Sequence, residues 1–451
     1  MKLKSPNLLL LSLLLGLLLA LTTQAQAQAQ QPEEKANTCP NWQPNQLPSK
    51  PQEWQAEYQR LNPLFNACLH SADFLAYYGA IQLRTGKANQ ALDTLERALL
   101  LNPNHGAAQL DYTQALLHTG DPYAAQALNK QLQKQANLPP LIRQQVNLNQ
   151  KQLNKLLNSF NHQLSLSTGY DNNLNTNPNL SIITLTPEGK KVELPNPAEN
   201  QARQGATLRL GAITRYTQRQ ATSQQSLQLA INSRLTENSQ DNQHQLTTSY
   251  QHHQRLISGN QLKHQLTLLG LNHGGSHIYT SLEAQQQWQT ANNNTCQLSP
   301  SHSLSYHRFP NYNNLDALEY RLTPEASCQL NGHQIKLSAS GLYNHALNTS
   351  RPGSHRHGLE LTASWQHPLG KGSLAVQGRQ IHWQDHQGYN PLLSNNARRT
   401  IKRQQLALVY LLPLSPSLQL SSQASWQQQT SNLELFEFKS HQLELGLRWY
   451  F

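Results

Sequence analysis

The chain has 451 residues, of which 37% are hydrophobic and 13% charged, both below the roughly 45–50% and 25% usual for soluble domains, and Gln, Asn, Ser and Leu fill the difference. Its formal charge of +11 is spread along the sequence instead of gathered into a basic stripe, which argues against a nucleic-acid surface and gives only weak support for an anionic partner. A wall one residue thick, apolar on alternate positions and uncharged but polar on the others, suits this composition better than a dense soluble core.

The first 27 residues read as a cleaved signal peptide. Lys2 and Lys4 precede an apolar run from Leu8 to Leu21, and Ala25-Gln26-Ala27 offers a small-x-small cleavage site with no Cys just after it. Past this segment no apolar run reaches the about 20 residues that a spanning helix needs, so a barrel is the only membrane-crossing architecture open to the chain. Residues 28–52 are rich in Gln and Pro and read as a flexible connector.

Residues 53–158 read as helical, with a repeat: Gly86 and Gly120 are 34 residues apart, as are Ala91 and Ala125. Two helices meet at Thr85-Gly86-Lys87, and Leu75, Tyr78, Gly79, Ala91, Leu95, Ala98 and Pro103 fall where a tetratricopeptide repeat (TPR) wants small or bulky packing residues. A looser copy covers residues 106–139. About three such units bury a continuous core, so helices before residue 70 and one near 141–157 are expected to complete the stack. Such a stack grips a peptide, or serves as a spacer or assembly surface.

From residue 160 to 451 the apolar period switches to two. Alternation predicts fourteen strands, near 161–170, 205–217, 224–236, 245–257, 262–273, 277–289, 296–309, 317–330, 334–346, 357–369, 373–385, 400–413, 418–430 and 441–451. Short turns alternate with longer segments, which places the short turns and the helical domain in the periplasm and the long loops outside. Tyr216, Trp288, Trp365 and Trp449 then fall toward one interface and Tyr170, Tyr306, Tyr343 and Trp426 toward the other. The fold class is therefore α+β multidomain: N-terminal TPR helices and a C-terminal transmembrane antiparallel barrel. By parity the lumen receives Arg209, Arg215, Arg234, Lys263, Glu283, Glu319, Arg321, Glu325, Lys336, Glu360, Arg379, Glu444 and Arg448. Both signs occur, which suits a polypeptide pore and wall-stiffening salt bridges equally. Four Cys on an oxidising route favour Cys39 with Cys68 and, as cross-strand neighbours, Cys296 with Cys328.

The last strand, LELGLRWYF, puts Trp449 and Phe451 on its apolar face, and the first strand leaves through Gly169-Tyr170-Asp171-Asn172-Asn173 and Asn175. Together with the signal peptide and the TPR stack, these residues resemble the surface lipoprotein assembly modifier (Slam) family of Gram-negative bacteria. The resemblance implies an outer-membrane translocon with a fourteen-stranded barrel. Its periplasmic repeats would assist a protein client, a surface lipoprotein or a secreted haem- or haemoglobin-binding protein, with outer-membrane lipid, a periplasmic chaperone and the barrel-assembly machinery as further partners. The alternative is an exopolysaccharide exporter with a TPR scaffold.

No cofactor or catalytic centre is expected. Adjacent His252 and His253 point to opposite faces of a strand, His355 and His357 read as solvated side chains at a loop edge, and Asp171-Asn172-Asn173 lacks the Gly and Glu of a calcium loop.

Overall fold

The computed structural model describes residues 39–40, 48, 50–135, 138–291 and 295–451, so the signal-peptide reading of 1–27 and most of the expected connector lie outside the described residues. The chain divides into two compact units, Met1–Asn147 and Leu148–Phe451.

The described part of the first unit is helical. Helix α1 (Pro51–Leu61) begins with proline at its first position, inside the stretch expected to be flexible, because the ring's fixed φ suits a helix start that needs no N–H donor. A 3₁₀ turn (Asn62–Cys68) leads to α2 (Ala72–Arg84), α3 (Ala88–Leu101), α4 (Gly106–Thr119), α5 (Pro122–Gln133) and α6 (Pro140–Leu157). Ser71 and Asp121 cap α2 and α5 by accepting from the backbone N–H of Phe74 and Ala124. The two glycines of the repeat do the same work twice: Gly86 and Gly120 stand at φ +79° and +85°, ending α2 and α4 in the left-handed conformation that a Cβ disfavours.

Repeat packing follows from small against large. Gly79 lies against Leu95, and Leu75, Ala91, Leu95, Ala98 and Ala125 are fully buried. Tyr78 stacks between Tyr58 and Phe74, with Phe65 tilted against it, and donates to Asn62 Oδ1 at 2.7 Å. Tyr58, Asn62 and Phe65 come from α1 and the 3₁₀ turn, which therefore close one end of the stack, and Cys39–Cys68 pins that turn. At the other end Val146 of α6 packs with Leu132 and Leu138. The helices expected before residue 70 and near 141–157 are thus both present.

The second unit is a closed antiparallel barrel. Helix α6 runs directly into β1 (Asn158–Asp171), followed by β2 (Gly205–Arg219), β3 (Ser223–Thr236), β4 (Gln243–Arg255), β5 (Gln261–His273), β6 (Ser276–Gln289), β7 (Cys296–Leu298 and Ser301–Arg308), β8 (Ala317–Thr323 and Glu325–Leu330), β9 (His333–Ala346), β10 (Arg356–Leu369), β11 (Gly372–Gly388), β12 (Arg398–Ser415), β13 (Leu418–Ser431) and β14 (Phe438–Tyr450). Each strand pairs with its sequence neighbours, and β1 pairs with β14 to close the ring. All fourteen strands lie where alternation places them. The interruptions in β7 and β8 were not expected: they fall at Ser299-Pro300 and Pro324, where a missing N–H cannot extend the ladder.

Leucines at alternate positions of the wall, such as Leu164, Leu208, Leu229, Leu266, Leu304, Leu359, Leu406 and Leu443, stand 40–65% exposed, while Ser167, Thr207, Ser226, Arg234, Ser303 and Glu360 on the opposite parity are not exposed. An apolar outside around a polar inside is the inverse of a soluble domain and the mark of an outer-membrane-type barrel. Among the described residues no helix is long and apolar enough to cross a membrane. Five of the six connections at the end where β1 begins span at most the five residues 256–260, whereas the other end carries 172–204, 309–316, 347–355 and 389–397.

Candidate functional site

The lumen is built by the inward parity of the fourteen strands, and its charged side chains form three connected groups. In the first, Arg209 pairs with Glu444, Arg234 Nη1 lies 3.9 Å from Asp171, and Arg203 pairs with Asp241. The second joins Glu319, Arg321, Glu360 and Arg379 in one chain of contacts from 2.9 to 3.1 Å, with Asn344 Nδ2 donating to Glu319 at 3.3 Å. In the third, Asp385 is held by Arg356 at 2.9 Å and Arg399 at 3.1 Å. Arg399 also lies over the rings of Tyr389 and Phe436. Each buried carboxylate therefore meets at least one guanidinium, the condition for charge to persist away from water.

The lumen residues named by parity do not form one site. Arg209, Arg234, Glu319, Arg321, Glu360 and Arg379 belong to the first two groups, whereas Arg215 bonds only Gln228 Oε1 and Arg448 stands near the opposite end of β14. Sequence reasoning missed Arg203, Asp241, Arg351, Arg356, Asp385, Arg399 and Arg403. Arg356 and Arg399 each lie one residue before the strand start that alternation gave. Parity could have found Arg403 and Asp385, since Ile381 pairs with Arg403 and Asp385 with Arg356.

The Gly169-Tyr170-Asp171-Asn172-Asn173 segment latches the closing seam. Gly169 faces inward against the Leu443 carbonyl and Glu444, where a Cβ has no room, while Tyr170 faces outward and is 47% exposed. Asp171 accepts from Ser440 Oγ at 2.9 Å and from the Asn173 N–H at 2.8 Å. Asn172 Oδ1 accepts from the His441 N–H at 2.7 Å, and Asn173 Nδ2 donates to the Lys439 carbonyl at 3.0 Å. Three consecutive side chains thus extend the β1–β14 pairing beyond the ladder.

The same segment turns the loop 172–204 into a strap. Leu174 is 4% exposed and its carbonyl accepts from Arg234 at 2.7 Å, so the base of the loop is anchored on a lumen arginine. A small hairpin, Ile182–Leu185 with Val192–Pro195, follows. The Thr186 N–H donates to the Leu392 carbonyl at 2.8 Å and the Asn395 N–H to Thr186 Oγ1 at 2.8 Å. The strap therefore reaches from the β1–β2 connection to the β11–β12 connection. Below it, a cavity of about 390 Å³ is lined by Asp171, Thr176, Arg209, Arg234, Arg379 and Gln442.

Both expected disulfides are formed, and no cysteine is free. Cys296 and Cys328 are direct register partners on the outer face of β7 and β8, four residues from Pro300 and Pro324. The aromatics Tyr216, Trp288, Trp365, Trp449 and Phe451 stand on the outer parity toward the short-turn end, and Tyr170, Tyr306, Tyr343 and Trp426 toward the other. Phe451 stacks on His162, its register partner through a reciprocal pair of backbone hydrogen bonds.

A tetratricopeptide repeat model matches residues 82–144, spanning the α2 end to the α6 start. No curated protein matches the chain. Among solved structures, OprD of Pseudomonas aeruginosa is 10% identical, with 65% of this chain and 95% of that one covered and a TM-score of 0.31. An anion-selective porin from Comamonas acidovorans is 9% identical, covering 65% and 99%, at 0.38. A structure described as a bacterial polysaccharide outer membrane secretin is 9% identical, covering 65% and 98%, at 0.34. The fold itself, a closed fourteen-stranded barrel apolar outside and polar inside that follows helices matched in part by a tetratricopeptide repeat model, is of the outer-membrane type.

Proposed function

We propose that this protein is an outer-membrane translocon that delivers a protein client, a surface lipoprotein or a secreted haem- or haemoglobin-binding protein, to the cell surface or medium. The observation that carries the reading is the direct continuation of α6, the last helix of the tetratricopeptide stack, into β1 of a polar-lined barrel. A passive pore has no use for a repeat stack, while a stack that engages an unfolded client or its periplasmic chaperone delivers it at the mouth where β1 begins. In this reading the helical unit is periplasmic and the strap covers the outer mouth. No residue needs to be catalytic: without a nucleotide supply beyond the inner membrane, folding of the client outside draws it forward.

The lumen bears on the runner-up, exopolysaccharide export. The inward aromatics of the strands include Trp383, Tyr279, Tyr450 and Phe438, and Phe438 is covered by Arg403, as Tyr389 and Phe436 in the connections are by Arg399, which leaves little open ring surface for stacking on sugars. The test is deletion of this chain followed by protease shaving of intact cells. Disappearance of a lipoprotein or secreted protein from the surface is the expected result. Full surface exposure of every such protein, with loss of a surface polysaccharide, would replace the translocon by the exporter.

A further inference from the structure

The lumen carries both signs of charge, but not at the same height. Every ion pair of the wall joins residues in the half nearer the long loops or at mid-height. The other half is different. Arg215 lies four residues from the short-turn end of β2, Lys263 two from that of β5, Lys336 three from that of β9 and Arg448 two from that of β14. All four have inward parity, on β2, β5, β9 and β14, of which β14 and β2 flank β1. Their inward register partners are Asn161 and Gln228 for Arg215, His253 and Gln287 for Lys263, Ser327 and Ser364 for Lys336, and Ser165 and Gln419 for Arg448, none of them a carboxylate. The nearest inward carboxylate is Glu325, whose register partner Ser338 lies two residues from Lys336, and among the described residues none of the four cations has a salt bridge.

A ring of uncompensated cations on a low-dielectric wall raises the local potential and concentrates anions, because like charges set around a pore add their fields at its axis while the wall confines them. In the loop-end half carboxylates offset most of the cations, although Asp385 is shared by Arg356 and Arg399, and Arg403 meets the neutral Gln429. In the short-turn half Glu325 is the one inward carboxylate among the described residues, so the four cations there attract negative charge with little offset.

We infer that the short-turn mouth is a binding site for an acidic polypeptide segment, with Arg215, Lys263, Lys336 and Arg448 as its carboxylate-binding groups. This deepens the translocon reading and rests on it for the choice of polypeptide: the mouth is the end of the barrel at which the chain passes from α6 into β1. A client carrying a run of Asp and Glu ahead of its folded part would be captured there and oriented for entry.

The full chain in nanodiscs of zwitterionic phosphatidylcholine, titrated against a fluorescein-labelled Glu-rich peptide, tests the site by anisotropy. Binding that falls steeply with salt is expected, together with about tenfold weaker affinity in the R215Q/K263Q/K336Q/R448Q variant. Retention of the heat-dependent gel shift establishes that the variant barrel is folded, and the single variants serve in its place if it is not. Equal affinity of parent and variant, or of a Lys-rich peptide, overturns the site. Tighter binding of an oligogalacturonate than of the peptide overturns its assignment to polypeptide. The assay contains no client, so its failure leaves the translocon reading to stand or fall on the deletion experiment.

Discussion

Gly79 decides how closely α2 and α3 approach. A Cβ built there would sit 2.6 Å from Leu95 Cγ, well inside contact distance. Helix propensity alone favours Ala over Gly by about 0.5–1 kcal/mol, but overpacking of a rigid core costs about 1–3 kcal/mol, so crowding wins. Gly79→Ala is expected to lower the melting temperature of the helical signal in circular dichroism, and Leu95→Ala in the same chain to restore part of it. Glu57 supplies the pH dependence of the same unit. It is buried, and hydrogen bonds from Arg60 at 2.6 and 2.7 Å, with a further one from Tyr77, hold its carboxyl below the usual range against the opposing effect of burial. A depressed folded-state value means that the unfolded chain binds the proton first as pH falls. The stabilisation is therefore complete above the ordinary carboxylate range near about 4.3 and is lost on acidification through the folded value. Glu57→Gln is expected to shrink the difference in melting temperature between about pH 7 and pH 3; an undiminished difference would assign the acid sensitivity to other carboxylates.

At the scale of elements, the kinked β7–β8 pair is the weak stretch of the wall. Their ladder is interrupted between Ser301–Thr323 and Leu298–Ala326, where Pro300 and Pro324 lack donors, and the Cys296–Cys328 bridge clamps the pair just beyond the gap. A cross-link closing about 30 residues restricts the unfolded chain by roughly 3–4 kcal/mol. Cys296→Ser with Cys328→Ser should lower the temperature at which the folded band converts to the unfolded one in gels, while barrels still form. The strap makes a separate prediction. Among the described residues its hydrogen bonds to the β11–β12 connection are those of Thr186 with Leu392 and Asn395, so removing residues 178–200 should raise single-channel conductance in planar bilayers; unchanged conductance would locate the constriction lower, among the ion pairs. The strands themselves were legible because a half-buried wall forces a period of two. What alternation could not show was the break at each proline, which leaves residue parity intact while removing the hydrogen bonds. Nor could it show that Leu174 and Asp241, both in connections, would be buried on lumen arginines, since that burial is set by how loops fold back and not by any strand period.

For the whole molecule, parity assigns a side chain to a face but says nothing of its height. This is why the lumen residues were legible as a set, and the gathering of nearly all the ion pairs into the half nearer the long loops was not. The closed ring then bears on the route that the proposed client would take. Leaving sideways would require β1 and β14 to part, and they are joined by nine register pairs from Gln163–Tyr450 to Asp171–Gln442, with the Asp171-Asn172-Asn173 latch beyond them. Each backbone group stranded in hydrocarbon by that opening costs several kcal/mol, whereas passage through the lumen exchanges one polar contact for another. Thr168 and Leu445 are register partners on the outer face of this seam. Replacing both by Cys and bridging them with a short bis-maleimide seals the seam without touching the lumen. Client display on intact cells is expected to continue in the bridged protein; its arrest on bridging, with display intact in the unbridged double variant, would show that the client leaves through the wall.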